Sequence, residues 1–181
     1  RPDGFRVTCA DGETVEAGKI VLAAGLGAAT LGPMLGFLAP VRPQRGQILI
    51  TEKLPKLLNR PTVDLRQAEE GGIQIGATNE AVGFDDRSSQ RAMARLAARA
   101  VETVPALAKA QIVRSWAALR VMTPDGLPIY QESADMPGAF LVTCHSGITL
   151  AAAHALRLPD WLEGKSGAPD LAAFSEDRFS R

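Results

Sequence analysis

Three side chains on one stretch could do chemistry together: Arg114, Trp116 and Arg120, in Arg114-Ser-Trp-Ala-Ala-Leu-Arg-Val-Met-Thr-Pro-Asp-Gly-Leu-Pro-Ile129. Successive side chains of an extended chain point to opposite faces, so Arg114, Trp116, Ala118 and Arg120 share one face and Ser115, Ala117, Leu119 and Val121 the other. One face thus carries two cations and an indole. Because the flanking residues are apolar, at least one guanidinium is expected to point into a cleft and meet a fixed anion, with a substrate carboxylate as first candidate. An exposed strand edge is the simpler alternative. The strand runs straight into the turn Pro124-Asp125-Gly126.

Three other places combine polar residues with glycine. Lys19-Ile-Val-Leu-Ala-Ala-Gly25 ends at Gly25 and Gly27 before a helical segment, Ala28 to Leu35. A strand, glycines and a helix start let backbone N–H groups approach a phosphate or a ring carbonyl, although plain helix–strand packing gives the same pattern. In Val41-Arg-Pro-Gln-Arg-Gly-Gln47, Gly46 permits close approach of a backbone or a flat ligand, while Arg42, Gln44 and Arg45 read equally as solvated edge residues. In Cys144-His-Ser-Gly-Ile-Thr-Leu150 a polar turn leads into a helix from about Ile148. Its N-terminus offers free N–H groups to an electron-rich oxygen, unless His145 and Ser146 merely cap it. His154, inside that helix, reads as structural.

These residues need a frame. Phe5 to Ala10, the turn Asp11-Gly12 and Thr14 to Ala24 predict an antiparallel pair feeding a strand buried on both sides, since Ile20 to Ala24 is continuously apolar. Val41 to Thr51 is a strand, and Thr62 to Gln67 with Gly72 to Ala77 a hairpin. A helix opens near Asp85, with Ser88 or Asp86 as N-cap, an apolar stripe of Met93, Leu96, Ala97, Ala100, Val101 and Val104, and Pro105 at its close. Arg91, Arg95 and Arg99 form its solvated face. Met136-Pro-Gly138 is a turn and Ala139 to Cys144 a buried strand; from Pro159 the tail reads as loop and short turns without chemistry.

Composition removes several classes. With 181 residues, 46% of them hydrophobic, the chain can bury a real core. Twenty Lys and Arg against twenty Asp and Glu give no electrostatic support for nucleic acid or an anionic membrane surface. Cys9 and Cys144 have no metal or disulfide spacing, which fits a reducing cytoplasmic setting. No apolar stretch is long and uninterrupted enough to span a bilayer, and nothing reads as a signal peptide.

Taken together and in order, these segments resemble the C-terminal half of the D-amino-acid oxidase / glycine oxidase superfamily of FAD-dependent amine and amino-acid oxidoreductases. Val21-Leu-Ala-Ala-Gly25 resembles the family's second flavin strand, and Val41 to Gln47 its Arg-Pro-x-Arg-Gly-Gln segment. Leu119 to Pro128 is similar to Leu-Arg-Pro-x-Thr-Pro-Asp-Gly-x-Pro, Cys144 to Leu150 to the Gly-His-x-x-Gly-x-x-Leu flavin loop, and Phe174 to Phe179 to Phe-x-Pro-x-Arg-Phe. The wording from His145 to His154 most resembles dehydrogenase-type members, which act on opines, on D-hydroxyproline or, forming hydrogen cyanide, on glycine. Where the glycine oxidase branch carries Arg-Asn, this chain has Ser146 before Gly147, a departure that bears on substrate choice.

The resemblance implies an α+β fold: an antiparallel or mixed substrate-domain sheet with flanking helices, plus the C-terminal part of an FAD-binding α/β domain. Residues 1–40 and 122–181 would belong to the FAD domain and 41–121 to the substrate domain. It implies oxidation of a C–N bond in a small amino acid or secondary amine, with hydride passing to flavin. Arg120 would hold the substrate carboxylate, with Trp116 beside it in the substrate set. Gly25, Arg45, Gly46 and Gln47 would line the isoalloxazine, Gly126 would let it lie close, and His145, Ser146, Gly147, Ile148 and Thr149 would form the flavin loop, the last three through backbone N–H groups. The Gly-x-Gly-x-x-Gly dinucleotide loop is absent, and the chain opens Arg1-Pro-Asp-Gly-Phe5 at what reads as a turn. The chain is therefore expected to be a fragment, inactive alone, whose partners are the N-terminal half of its own polypeptide and an electron-accepting subunit, in the cytoplasm or peripherally at the inner membrane. The alternative is a non-catalytic scaffold or small-carboxylate-binding domain that keeps the fold.

Overall fold

The structure is a computed structural model and describes residues 4–179. The turn expected at the start of the chain involves residues 1–3, which lie outside the described residues. The chain forms two compact units, Arg1–Arg42 with Val121–Arg181, and Pro43–Arg120.

The first unit begins with strands β1 (Phe5–Thr8) and β2 (Thr14–Ala17), antiparallel, with Phe5 opposite Ala17 and Thr8 opposite Thr14. Asp11-Gly12 closes them: Gly12 takes φ 89° and Asp11 Oδ1 accepts from the Glu13 N–H. Extended pairing is interrupted at Gly18, so the single strand expected from Thr14 to Ala24 is two, and β3 (Ile20–Leu22) belongs to a different sheet from β2. Nor is β3 covered on both sides as expected. It lies at an edge of its sheet with Val21 43% exposed, and only Leu22 is buried. An apolar run reports burial somewhere, not which of its faces this chain covers. The helical segment after it is subdivided into a 3-10 turn (Gly25–Gly27), α1 (Ala28–Leu31) and a second 3-10 turn (Gly32–Leu35). Pro33 has no N–H to continue an α-helical ladder.

The second unit is a four-stranded sheet with one long helix. Its strands β4 (Arg42–Lys53), β5 (Leu65–Gln67), β6 (Gly72–Gly76) and β7 (Ile112–Met122) lie in the order β5-β6-β4-β7. β6 runs antiparallel to both β5 and β4. Helix α2 (Gln90–Thr103) lays Leu96 and Ala100 into a core with Leu49, Leu65, Ile73, Ile75 and Leu107. Its N-cap is Ser89 rather than Ser88 or Asp86: Ser89 is extended and its hydroxyl accepts from the Ala92 N–H. Asp85 is occupied elsewhere, by Arg45 and Arg87. The simpler alternative for β7 holds in part, because the strand is a sheet edge with Ile112, Val113 and Trp116 45%, 62% and 37% exposed.

The chain then returns to the first unit. β8 (Ile129–Glu132) and β9 (Ala139–Thr143) pair antiparallel, β9 pairs parallel with β3, and the order is β3-β9-β8. Ile129, Ala139 and Leu141 build the core with Leu22, Ala28, Phe37 and Ala39. Helix α3 spans Ala151–Glu163, which corrects the sequence reading at both ends. Residues 147–150 form a turn in which Ser146 O accepts from the Leu150 N–H, so the helix starts after Ile148, and neither His145 nor Ser146 caps it. Pro159 lies inside the helix instead of opening a loop. Its missing hydrogen bond is offset by packing on either side: Leu158 is buried and Trp161 meets the Phe140 ring edge-on at 5.1 Å.

Among the described residues no helix is long and apolar enough to cross a membrane, and no cluster of His, Cys, Asp and Glu could hold a metal ion.

Candidate functional site

In the second unit, the alternation of β4 sends Arg45 and Gln47 to one face and Gly46 to the other. Arg45 is 6% exposed and donates to Glu80 Oε2 at 2.9 Å, Asp85 Oδ2 at 3.0 Å and the Arg87 carbonyl at 2.8 Å. Fully buried Gln47 donates to Glu80 Oε1 at 2.6 Å and accepts from the Ser89 N–H at 2.8 Å. Burial alone would push the Glu80 carboxyl up. Hydrogen bonds from Thr78, Arg45 and Gln47, with the Arg45 charge, overcome that and hold it at about 2. Asp85 is likewise held at about 2, chiefly by its hydrogen bond from Arg87. The side chains of Arg45 and Gln47 therefore bind segment 78–89 to β4.

On the opposite face Arg120 covers Gly46. A Cβ at position 46 would stand 2.6 Å from Arg120 Cζ and 2.7 Å from Nη1, closer than real contacts allow. Arg120 Nη1 donates to the Thr78 carbonyl at 2.9 Å and to Asn79 Oδ1 at 3.1 Å. Among the described residues no carboxylate pairs with it. Trp116 is not brought to Arg120: four residues along a strand is about 13 Å, and its ring instead meets the Arg114 guanidinium, 5.4 Å from the centroid.

In the first unit, Asp125 anchors the turn after β7. Its carboxylate accepts from Arg178 Nε at 2.8 Å and Nη2 at 3.2 Å, and the hydrogen bond from Arg178 holds it at about 2. Arg178 also donates to the Phe174, Ser175 and Pro128 carbonyls, and Glu176 accepts the Leu38 and Ala39 N–H groups. The tail read as loop and short turns without chemistry thus clamps the Pro124-Asp125-Gly126 turn; in sequence Arg178 was marked by the family resemblance of Phe174 to Phe179, not by any link to Asp125.

Beside that turn a mostly apolar cavity of about 620 Å³ is lined by Gly126, Tyr130, His145, Ser146, Thr149 and His154, among others. Gly126 has φ 78° and open space where a Cβ would stand. Tyr130 Oη and His154 Nε2 are 2.7 Å apart, which gives His154 the structural partner expected of it. Burial, and secondarily Cys144, push the Tyr130 hydroxyl up to about 12. The N–H groups of Gly147, Ile148 and Thr149 have no acceptor among the described residues, and Ile148 is 96% exposed. Gly25, in the left-handed region at φ 58°, packs against Val121 and is not in the cavity wall.

Gly126, His145, Ser146 and Thr149 thus share the cavity wall, whereas Gly147 and Ile148 are not in it; an apolar wall beside a glycine open to close approach is what a flat ring would need. Thr78, Asn79 and Glu80, polar residues just past the Gly72 to Ala77 strand with no motif of their own, carry no mark in the sequence.

A family model described as FAD dependent oxidoreductase matches residues 1–161. The chain is 47% identical over 161 residues to an opine oxidase subunit of Agrobacterium tumefaciens (strain Ach5), covering 89% of this chain and 43% of that protein. It is 37% identical over 168 residues to the hydrogen cyanide synthase subunit HcnC of Pseudomonas aeruginosa, covering 88% and 40%. Among solved structures, glycine oxidase from Geobacillus kaustophilus superposes with a TM-score of 0.87 at 31% identity, over 96% of this chain and 48% of that one. The chain thus spans less than half the length of these relatives.

Proposed function

The chain belongs to the FAD dependent oxidoreductase family, and on that premise we propose that it forms part of an enzyme oxidising the C–N bond of a small amino acid or secondary amine. When bound, a flavin would supply the two-electron acceptor for the hydride on the carbon that bears the nitrogen, and water would then hydrolyse the resulting imine to an oxo acid and ammonia or an amine. The second unit would bind the substrate's acid group through Arg120. The first unit would hold the ring, with the Gly147, Ile148 and Thr149 N–H groups directed at a pyrimidine oxygen where negative charge gathers on reduction. Gly126 would let the ring lie close. Arg45 and Gln47 would contribute by holding segment 78–89 in place, and Gly46 by making room for Arg120.

The observation that carries this reading is the environment of Arg120. It is half-buried, fixed by two neutral acceptors and unpaired with any carboxylate among the described residues, whereas Arg45 on the same sheet has two. A cation kept without an internal anion is suited to an anionic ligand, and a guanidinium to a carboxylate. That two of the similar proteins are themselves subunits supports a partner chain, to which this reading gives the electron-accepting role.

The test uses the whole protein loaded with FAD. Glycine, a proline-like amine or an opine should bleach the oxidised flavin under anaerobic conditions, and Arg120→Lys should weaken substrate binding on the order of tenfold or more. A whole protein that carries no flavin, or whose flavin none of these amines reduces, would favour the scaffold alternative. Unchanged affinity in the Arg120→Lys protein would remove Arg120 from the carboxylate role.

A further inference from the structure

We infer that Asn79 is a positioning residue for Arg120, supplying a neutral acceptor that fixes the guanidinium without neutralising it. The inference rests on the carboxylate-binding reading of Arg120. The arginine donates from Nη1 to the Thr78 carbonyl and to Asn79 Oδ1, which uses both hydrogens of that nitrogen. The edge formed by Nε and Nη2 keeps its parallel N–H pair and has no acceptor among the described residues. That edge is the one a carboxylate engages with two hydrogen bonds. A guanidinium has no acceptor, so the Asn79 amide must present its oxygen to Arg120 and turn its NH2 away.

The neighbouring acid is kept out of this arrangement. Glu80 follows Asn79 directly, yet its oxygens accept from Gln47, Thr78 and Arg45 on the other face of β4. Alternation along segment 78–80 therefore gives the carboxylate to Arg45 and the amide to Arg120. Gly46 completes the seat, its bare Cα leaving the space the guanidinium fills. An aspartate at position 79 would have nearly the shape of asparagine but would pair with Arg120, and a substrate would have to compete with it.

The experiment compares Asn79→Asp, Asn79→Ala and Arg120→Lys in the whole FAD-loaded protein, with acetate binding followed by calorimetry and flavin reduction followed by stopped flow. Asn79→Asp should weaken acetate binding and raise KM about tenfold or more, with kcat at saturation within about threefold of the parent, whereas Asn79→Ala should cost only about threefold in affinity. That order, the near-isosteric change being worse than truncation, is what a purely structural role would not produce. An Asn79→Asp protein that binds acetate as tightly as the parent, or no more weakly than Asn79→Ala, would overturn the inference. If Arg120→Lys loses acetate while Asn79→Asp keeps it, only the role of Asn79 fails; if Arg120→Lys keeps it, the reading of Arg120 fails first. Asn79→Glu, which reaches the same guanidinium, replaces Asn79→Asp should that protein not fold.

Discussion

Arg120 occupies the space that a side chain at position 46 would need, with its Cζ 2.6 Å from where a Cβ of residue 46 would lie. The demand for glycine here is steric, since Gly46 is buried and its φ is outside the left-handed region. Gly46→Ala should therefore act through Arg120. The guanidinium must leave Thr78 and Asn79, and acetate affinity of the whole protein should fall about tenfold, with modest destabilisation from overpacking. Acetate affinity equal to the parent's would show that the arginine can move aside without losing its geometry.

Glu80 joins Arg45, Gln47 and Thr78, so removing it strands several buried donors at once. Glu80→Ala should lower the thermal midpoint by about 5 °C or more. A thermal scan of parent and variant at neutral pH checks this. A shift within error of zero would mean that segment 78–89 is held by other contacts.

The same network sets an acid limit. Glu80 and Asp85 titrate at about 2 in the folded chain against ordinary values of 4.5 and 3.8, and Asp125 in the first unit behaves alike. Their folded values are depressed, so the stability they add is fully present above about pH 5 and is lost as pH falls toward 2. Urea midpoints measured from neutral pH downward should drop through that window. The Glu80→Gln protein, less stable at the start, should show a shallower drop, and parallel curves would remove Glu80 as a source of the dependence.

Arg178 ties the tail to the turn carrying Gly126 through its bidentate pair with Asp125. Arg178→Ala should loosen that turn, lower the thermal midpoint by several degrees and raise the FAD dissociation constant of the whole protein about tenfold. Flavin retention on gel filtration reads the second effect. Full retention would separate the clamp from the cofactor site.

Much of this was legible locally. The Asp11-Gly12 hairpin, the stripe from Met93 to Val104 and the strand Ala139–Thr143 follow from residues a few positions apart, where turn chemistry and periodicity act. The motifs around Arg45, Asp125, Gly147 and Arg178 were visible as spaced segments and pointed to the family before any fold was known. The cap of α2 was not legible, because Ser89 is selected by Gln47, 42 residues away.

Sequence by itself determined which residue types are present at the candidate site and which strand faces they take, because parity and glycine content are properties of the chain. Only the tertiary structure decided what each charge meets. Arg45 and Arg120 read alike in sequence, as cations in β4 and β7, but Arg45 finds Glu80 and Asp85 while Arg120 finds an amide and a carbonyl. An ion pair depends on which distant segment the sheet brings alongside, and segment 78–89 meets the two arginines from opposite faces of one strand. That placement leaves Arg120 oriented by neutral acceptors, with no carboxylate paired to it among the described residues.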